Sequence, residues 1–291
     1  MLARQWRRLA RPHLAALTAS VLAAGCALGP SLPDGAQTLN DIAFLEQDGI
    51  RLTGDLYLPV AEGRRPAVLL IHGGGWRNGD PGQMAHLGRR LAAAGFVAYS
   101  TSYRFAPEYR HPTQLADVRD AMTWLAEHDR VDPDRVAVWG YSAGAHLALL
   151  LGFGAEADAD AETGSAPRRP VAVVAGGSPS DFERFDPNGR LLVNLMGAAR
   201  DEDPEGWRRA SPIHWADAQS PPIYLYHGRQ DRVVDVGHSR ELEARLDGLG
   251  ASVHYDEVAW GHFWVFLGNR SVEQRATNFL KQTFNDNGAR R

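Results

Sequence analysis

With 291 residues, 44% of them hydrophobic, 23% charged and 9% aromatic, the chain has a globular composition and room for one large α/β domain or two small ones. The 31 basic side chains against 35 acidic ones give a net charge of −4, which offers no electrostatic footprint for nucleic acid. The single cysteine, Cys26, excludes an intramolecular disulfide and a multi-cysteine metal site, and the single lysine, Lys281, follows no glycine loop, so a Walker-type phosphate loop is excluded as well.

The first segment reads as an address. Arg4, Arg7, Arg8 and Arg11 precede an uncharged stretch over 14–24, which ends in Leu22-Ala23-Ala24-Gly25-Cys26. A basic region, a short apolar core and small residues before a cut form the plan of a signal peptide over 1–25. The core has eleven residues, and a membrane-spanning helix needs about 20. The cysteine after small residues resembles a bacterial lipoprotein box, although Ala23 stands where that pattern most often has Leu. The resemblance implies lipidation at Cys26 and an exported, lipid-anchored protein of the cell envelope; a plain secretory signal cut elsewhere is the alternative. Residues 26–39, with Pro30 and Pro33, read as a linker, and 40–291 as the folded domain.

Beyond the linker, apolar runs alternate with helical stretches. Residues 42–59 predict a strand pair about the turn Asp48-Gly49. Strands are expected at 67–71, 96–101, 136–139, 171–175, 223–226 and 253–258. Helices are expected at 84–94, 112–128, 143–151, 239–249 and 274–284. Uninterrupted apolar strands alternating with helices predict a mostly parallel sheet covered on both faces. Functional groups then belong in loops at the carboxyl ends of the strands. Residues 181–215, with Trp207, Trp215, Met196 and several prolines, break the rhythm and read as an insertion over the sheet.

One strand-to-helix junction carries chemistry. The run at 136–139 leads into Gly140-Tyr141-Ser142-Ala143-Gly144 and then a helix, which is G-x-S-x-G in the context that motif needs. Such a turn strains the serine backbone and projects its hydroxyl. It also crowds the residues two before and two after, which here are glycines. The strand at 67–71 ends in His72-Gly73-Gly74-Gly75-Trp76, where residues without side chains let backbone N–H groups approach an oxyanion. A dinucleotide loop does not fit, because Asn78 takes the place of the third glycine. A serine nucleophile needs a base, and the base an orienting carboxylate. Late strands lead to Asp231 and to Gly261-His262, in the chain order Ser, Asp, His. Asp235 and Glu257 rival the acid; His227 and His254 rival the base. No two of the eleven histidines are spaced by two to four residues, so neither a zinc site nor any cofactor is expected.

These motifs together resemble the α/β-hydrolases, close to the hormone-sensitive-lipase and feruloyl/acetyl-esterase-like (BD-FAE-like) groups. The matching text is His72–Trp76, Tyr103-Arg104-Phe105-Ala106-Pro107-Glu108, Asp132-Pro133-Asp134-Arg135-Val136, Gly140–Gly144 with His146, the Asp231 segment, and Gly261-His262. The likeness runs over roughly 40 to 285. It implies the α/β-hydrolase fold, with Ser142 as nucleophile, His262 as base and Asp231 as its orienter. It also implies backbone oxyanion donors at Gly74, Gly75 and Ala143. Trp76, Tyr141, Phe263 and Trp264 are candidate pocket residues. Phe263 and Trp264 depart from the small residue common after the base, and either wall the acyl pocket or pack into the core. His72 and His146 are expected to hold their loops rather than to react. The expected activity is hydrolysis of a small-molecule carboxylic ester, with an arylformamidase-like amidase or a non-catalytic binding scaffold as alternatives.

Overall fold

The computed structural model describes residues 31–156 and 168–289, so the signal segment and Cys26 lie outside the described residues. Eight strands form one sheet: β1 (Gln37–Gln47), β2 (Ile50–Leu58), β3 (Arg65–Ile71), β4 (Val97–Thr101), β5 (Val131–Tyr141), β6 (Val173–Gly176), β7 (Ile223–Gly228) and β8 (Val253–Val258). Their spatial order is β1-β2-β4-β3-β5-β6-β7-β8. The hairpin β1–β2 and the pair β2–β4 are antiparallel, and every later pair is parallel. The helices are α1 (Ala85–Ala93), α2 (Thr113–Glu127), α3 (Ala143–Phe153), α4 (Arg190–Met196), α5 (Pro204–Arg209), α6 (Gly237–Gly248), α7 (His262–Gly268) and α8 (Arg270–Ala289). Among the described residues, no helix is long and apolar enough to cross a membrane.

Alternation along the strands divides the core in two. On β3, Ala67, Leu69 and Ile71 face one layer, with residues of α2, α3 and α6; Val68 and Leu70 face the other, with residues of α1 and α8. A sheet buried on both faces needs apolar residues at every position, which is why these strands read as continuous runs. Helix α3 is buried along its whole length, so it shows no polar stripe.

Most expected elements are present, with boundaries shifted by a few residues. The departures lie near the site. Residues 181–215 fold as two 3-10 turns (Phe182–Arg184 and Pro212–His214) with the short helices α4 and α5 between them. Trp207 on α5 is fully buried and its indole donates to the Ala198 carbonyl, so this insertion is anchored to its own small core. Helix α7, which starts at His262 itself, is absent from the sequence expectation because it is one segment too short to show a period.

Register brings the functional loops together. Ile71 pairs with Gly140, Tyr141 with Gly176, Gly176 with Tyr226, and Gly228 with Val258. The carboxyl ends of β3, β5, β6, β7 and β8 are therefore level, and the loops after them meet at one edge.

Candidate active site

Between β5 and α3 the chain turns so sharply that Ser142 adopts φ 55°, ψ −122°, a backbone state that ordinary residues avoid. The flanking glycines are fixed by space. A Cβ on Gly140 would stand 2.1 Å from the Gly144 carbonyl oxygen, and one on Gly144 would stand 2.1 Å from that of Ile71. The turn is held because Ser142 N donates to Gly176 O at 2.8 Å. The hydroxyl then points at the loops from β7 and β8.

Those loops supply the expected partners. His262 Nε2 is 2.9 Å from Ser142 Oγ, and His262 Nδ1 is 2.5 Å from Asp231 Oδ2. A carboxylate only accepts, so Nδ1 carries the proton and Nε2 is left to accept from the serine hydroxyl. Burial on its own would raise the Asp231 carboxyl, but hydrogen bonds from His227 and His262, the His262 charge and the Val234 amide together hold it well below the usual carboxylate range. The Asp231 turn is closed by its own side chain, whose Oδ1 accepts from Val233 N and Val234 N at 2.8 and 2.9 Å. The two loops are joined where Gln230 N donates to Trp260 O at 3.2 Å.

The rival residues are placed elsewhere. Asp235 pairs with Arg184, and Glu257 with Arg229 and Arg240. His254 stacks on Tyr224 with its side chain largely in solvent. His227 is fully buried, with its Nε2 3.2 Å from Asp231 Oδ2, and it has no contact with Ser142 among the described residues.

The glycine loop bends through a run of positive φ at Gly74 (112°), Gly75 (62°) and Trp76 (58°). A Cβ on Gly73 would come 3.2 Å from Ser142 Cβ, so this loop lies directly against the serine turn. Among the described residues the N–H groups of Gly74, Gly75 and Ala143 have no backbone acceptor. His72 Nδ1 is 2.7 Å from Gly73 O, and Tyr103 stacks on the His72 ring while its hydroxyl donates to His72 O at 3.1 Å. Ala106 N donates to Trp76 O at 2.9 Å. The Tyr103–Glu108 motif thus braces the glycine loop. His146 does so from the other side: Trp76 Nε1 donates to its Nδ1 at 3.3 Å, and its Nε2 donates to Ala210 O at 2.7 Å while the ring stacks on Phe182. Burial and the neighbouring His111 push His146 down to about 3, so it stays neutral.

The four candidate pocket residues divide. Trp76 and Tyr141 are buried: Trp76 packs edge-on against His146 and Phe182, and the Tyr141 hydroxyl donates to the His262 carbonyl. They act as supports. Phe263 and Trp264 are 60% and 68% exposed at the start of α7, so neither packs into the core. Gly177, after β6, was not singled out by the sequence. It has φ 57°, and a Cβ there would stand 3.1 Å from His262 Cε1 and 3.2 Å from the Tyr141 hydroxyl. The signal was a Gly-Gly pair closing an apolar strand, which one chain alone does not distinguish from an ordinary turn.

One group of metal-ligand types stands apart. Asp181, Glu183 and His214 bring ligand-type atoms within 4.8 Å of one another. Contacts within the insertion account for it: Asp181 caps the Glu183 amide at 2.8 Å, and His214 lies 3.4 Å from the Glu183 carboxylate.

The family model BD-FAE matches residues 54–246. Esterase LipC of Mycobacterium tuberculosis is 32% identical over 199 residues, covering 64% of this chain and 49% of that protein. Esterase LipQ of the same organism is 30% identical over 240 residues, covering 76% and 56%. The chain spans about half the length of the curated relatives it matches. A truncated carbohydrate esterase from gut microbiota superposes with TM-score 0.77 at 24% identity, over 88% of this chain and 99% of the other. Propionate-bound esterase 2 of Thermogutta terrifontis superposes with TM-score 0.72 at 24% identity, over 87% and 96%. Both are likenesses of fold, and the fold is that of the α/β-hydrolases. With the family model matched over most of the described domain, the chain belongs to the BD-FAE family.

Proposed function

We propose that the protein is a serine hydrolase of carboxylic esters. The observation that carries this is the unbroken chain Ser142 Oγ – His262 Nε2, His262 Nδ1 – Asp231 Oδ2, at 2.9 and 2.5 Å. The esterase names of the curated relatives support the choice of ester. Ser142 Oγ attacks the ester carbonyl carbon as His262 Nε2 takes its proton, and Asp231 stabilises the imidazolium that results. The carbonyl oxygen becomes an oxyanion and rests on the N–H groups of Gly74, Gly75 and Ala143, which are free to receive it; each such donor is worth about 3–4 kcal/mol of barrier. His262 returns the proton to the leaving alkoxide, which departs as the alcohol. A water, deprotonated by the same imidazole, then attacks the acyl-serine and releases the acid. Phe263 and Trp264 form the outer wall of the acyl or alcohol site, while Tyr141 holds the His262 carbonyl and Trp76 packs on His146.

The test is turnover of short p-nitrophenyl esters by the wild type and by Ser142→Ala, with fluorophosphonate labelling alongside. The wild type should turn over and label; the variant should melt like wild type but do neither. Equal turnover in the variant would end the assignment.

We also propose that the chain is exported and lipid-anchored at Cys26. The support is the basic start, the apolar run at 14–24 and the residues Leu22–Cys26. Metabolic labelling with an alkynyl fatty acid should mark the full chain and leave Cys26→Ser unmarked; label in both would refute the attachment site.

A further inference from the structure

His227, at the end of β7, has no part in the steps above, yet its ring is fully buried beside the Asp231 carboxylate. Its Nε2 is 3.0 Å from Val234 O and 3.2 Å from Asp231 Oδ2. Its Nδ1 is 2.7 Å from Ser239 Oγ on α6. Val234 O is a backbone carbonyl and can only accept, so Nε2 must carry a proton. In the neutral ring Nδ1 then accepts from the Ser239 hydroxyl, which can rotate to donate. One N–H therefore faces two acceptors at the two ends of the Asp231–Val234 turn.

We propose that His227 is a positioning residue of the active site: its Nε2–H, oriented by Ser239, fixes the carboxylate oxygen of Asp231 that holds His262. The inference rests on the reading of Ser142, His262 and Asp231 given above.

A carboxylate offers about four lone-pair positions, and a buried one is costly unless they are filled. Here Oδ1 takes the Val233 and Val234 amides, while Oδ2 takes His262 and lies 3.2 Å from His227 Nε2, whose N–H it shares with Val234 O. Without His227 the oxygen facing His262 has a single partner, and that partner is the group it must orient. With His227 the carboxylate is tied through Ser239 and the ring to α6 and β7 and does not follow the imidazole as the proton moves. The second donor also draws electron density from Oδ2, which moderates its pull on the His262 proton. The other titratable groups acting on this pair are His238, itself flanked by Asp235 and Arg184, and Tyr141 from β5. None of these donates to Oδ2.

The experiment compares His227→Phe, which keeps the ring volume without a donor, with His227→Gln, whose side-chain amide can donate from nearly the same place. In the full chain on a p-nitrophenyl ester, His227→Phe should lose about tenfold in kcat with little change in KM, the scale of one hydrogen bond to a charged group. Because Oδ2 then attracts the imidazolium proton more strongly, the acidic limb of its pH–rate profile should move to higher pH. His227→Gln should restore the wild-type limb. Equal losses in both variants with the limb unmoved would mean that His227 only fills space. Nitrogen-15 NMR of the wild type keeps the proposal testable if His227→Phe does not fold. His227 Nε2 should remain protonated across the active pH range, and a bare Nε2 would overturn it. Fluorophosphonate labelling of the wild type separates the two ideas: no label at Ser142 defeats the catalytic reading, whereas a labelled protein with a bare His227 Nε2 defeats only this one.

Discussion

Replacing Gly177 by alanine tests whether the position of the His262 ring sets the rate. The added Cβ would lie 3.1 Å from His262 Cε1 and 3.3 Å from Nδ1, closer than carbon normally approaches, so the ring must give by a few tenths of an ångström. Gly177 has little room to retreat, because its N–H donates to Tyr226 O at 2.9 Å. The ring is held by Asp231 and its backbone by the Tyr141 hydroxyl, so it yields by turning, and the contact with Ser142 Oγ is what lengthens. A 1 Å misplacement of a reacting group costs on the order of a hundredfold, so a few tenths should lower kcat about tenfold. The φ of 57° adds about 1 kcal/mol of backbone strain for an L-residue, a loss of roughly 2–4 °C in Tm for a domain of this size. Gly49→Ala is the control: at φ 78° it carries similar strain, but nothing stands within 4 Å of its Cβ. Both variants should melt a few degrees early, and only Gly177→Ala should lose rate on p-nitrophenyl acetate. If Gly177→Ala keeps the wild-type kcat while its Tm falls, the imidazole does not work from this position.

Two other outcomes follow from the geometry. His72 and His238 are pushed down to about 4 and His146 to about 3, mainly by burial, so the unfolded chain takes up protons before the folded one does. Stability should therefore be full above pH 6.5 and fall as the pH drops toward 4, by up to about 1.4 kcal/mol per pH unit for each histidine; a Tm that is level from pH 7 to 4.5 would contradict their neutral burial. Phe263→Ala and Trp264→Ala should leave Tm unchanged because both side chains are exposed, yet reduce kcat/KM about tenfold on aromatic or octanoyl esters and far less on acetyl esters. An equal effect on all acyl chains would remove them from the acyl wall.

The sheet was legible because its strands are buried on both faces. Leu69 and Leu70 point to opposite layers and are both fully buried, so the strand is apolar at every step and stands out from its helices. The serine turn was legible because sterics leave glycine alone at 140 and 144. Asp231 and His262 followed from chain order, which is a property of the fold's winding rather than of either residue. What stayed hidden depends on contacts between segments distant in sequence. Nothing near Gly177 in the chain announces the imidazole 85 positions later that forbids a Cβ there. Tyr141 and Trp76 looked like pocket walls because they adjoin the motifs. Their side chains turn inward, where their polar atoms reach the His262 carbonyl and the His146 ring. Exposure of Phe263 and Trp264 is equally invisible in sequence, since aromatic residues beside an apolar run read as core.

Strain and support are arranged as a pair at this edge of the sheet. Five residues other than glycine have positive φ among those described, and two of them, Trp76 and Ser142, are in the site. Such conformations cost about 1–3 kcal/mol each and survive only where neighbours over-determine them. Ser142 is held by the Gly176 carbonyl, and Trp76 by the Ala106 amide and His146. His146 sits one helical turn after the serine and also reaches Ala210 beside α5, so the helix that follows Ser142, the glycine loop and the insertion share one buried ring. The three segments therefore cannot shift independently: moving the insertion pulls on His146, and His146 bears on the glycine loop that lies against the serine turn. The insertion is thus part of what holds the glycine loop in place and not merely a cover above it.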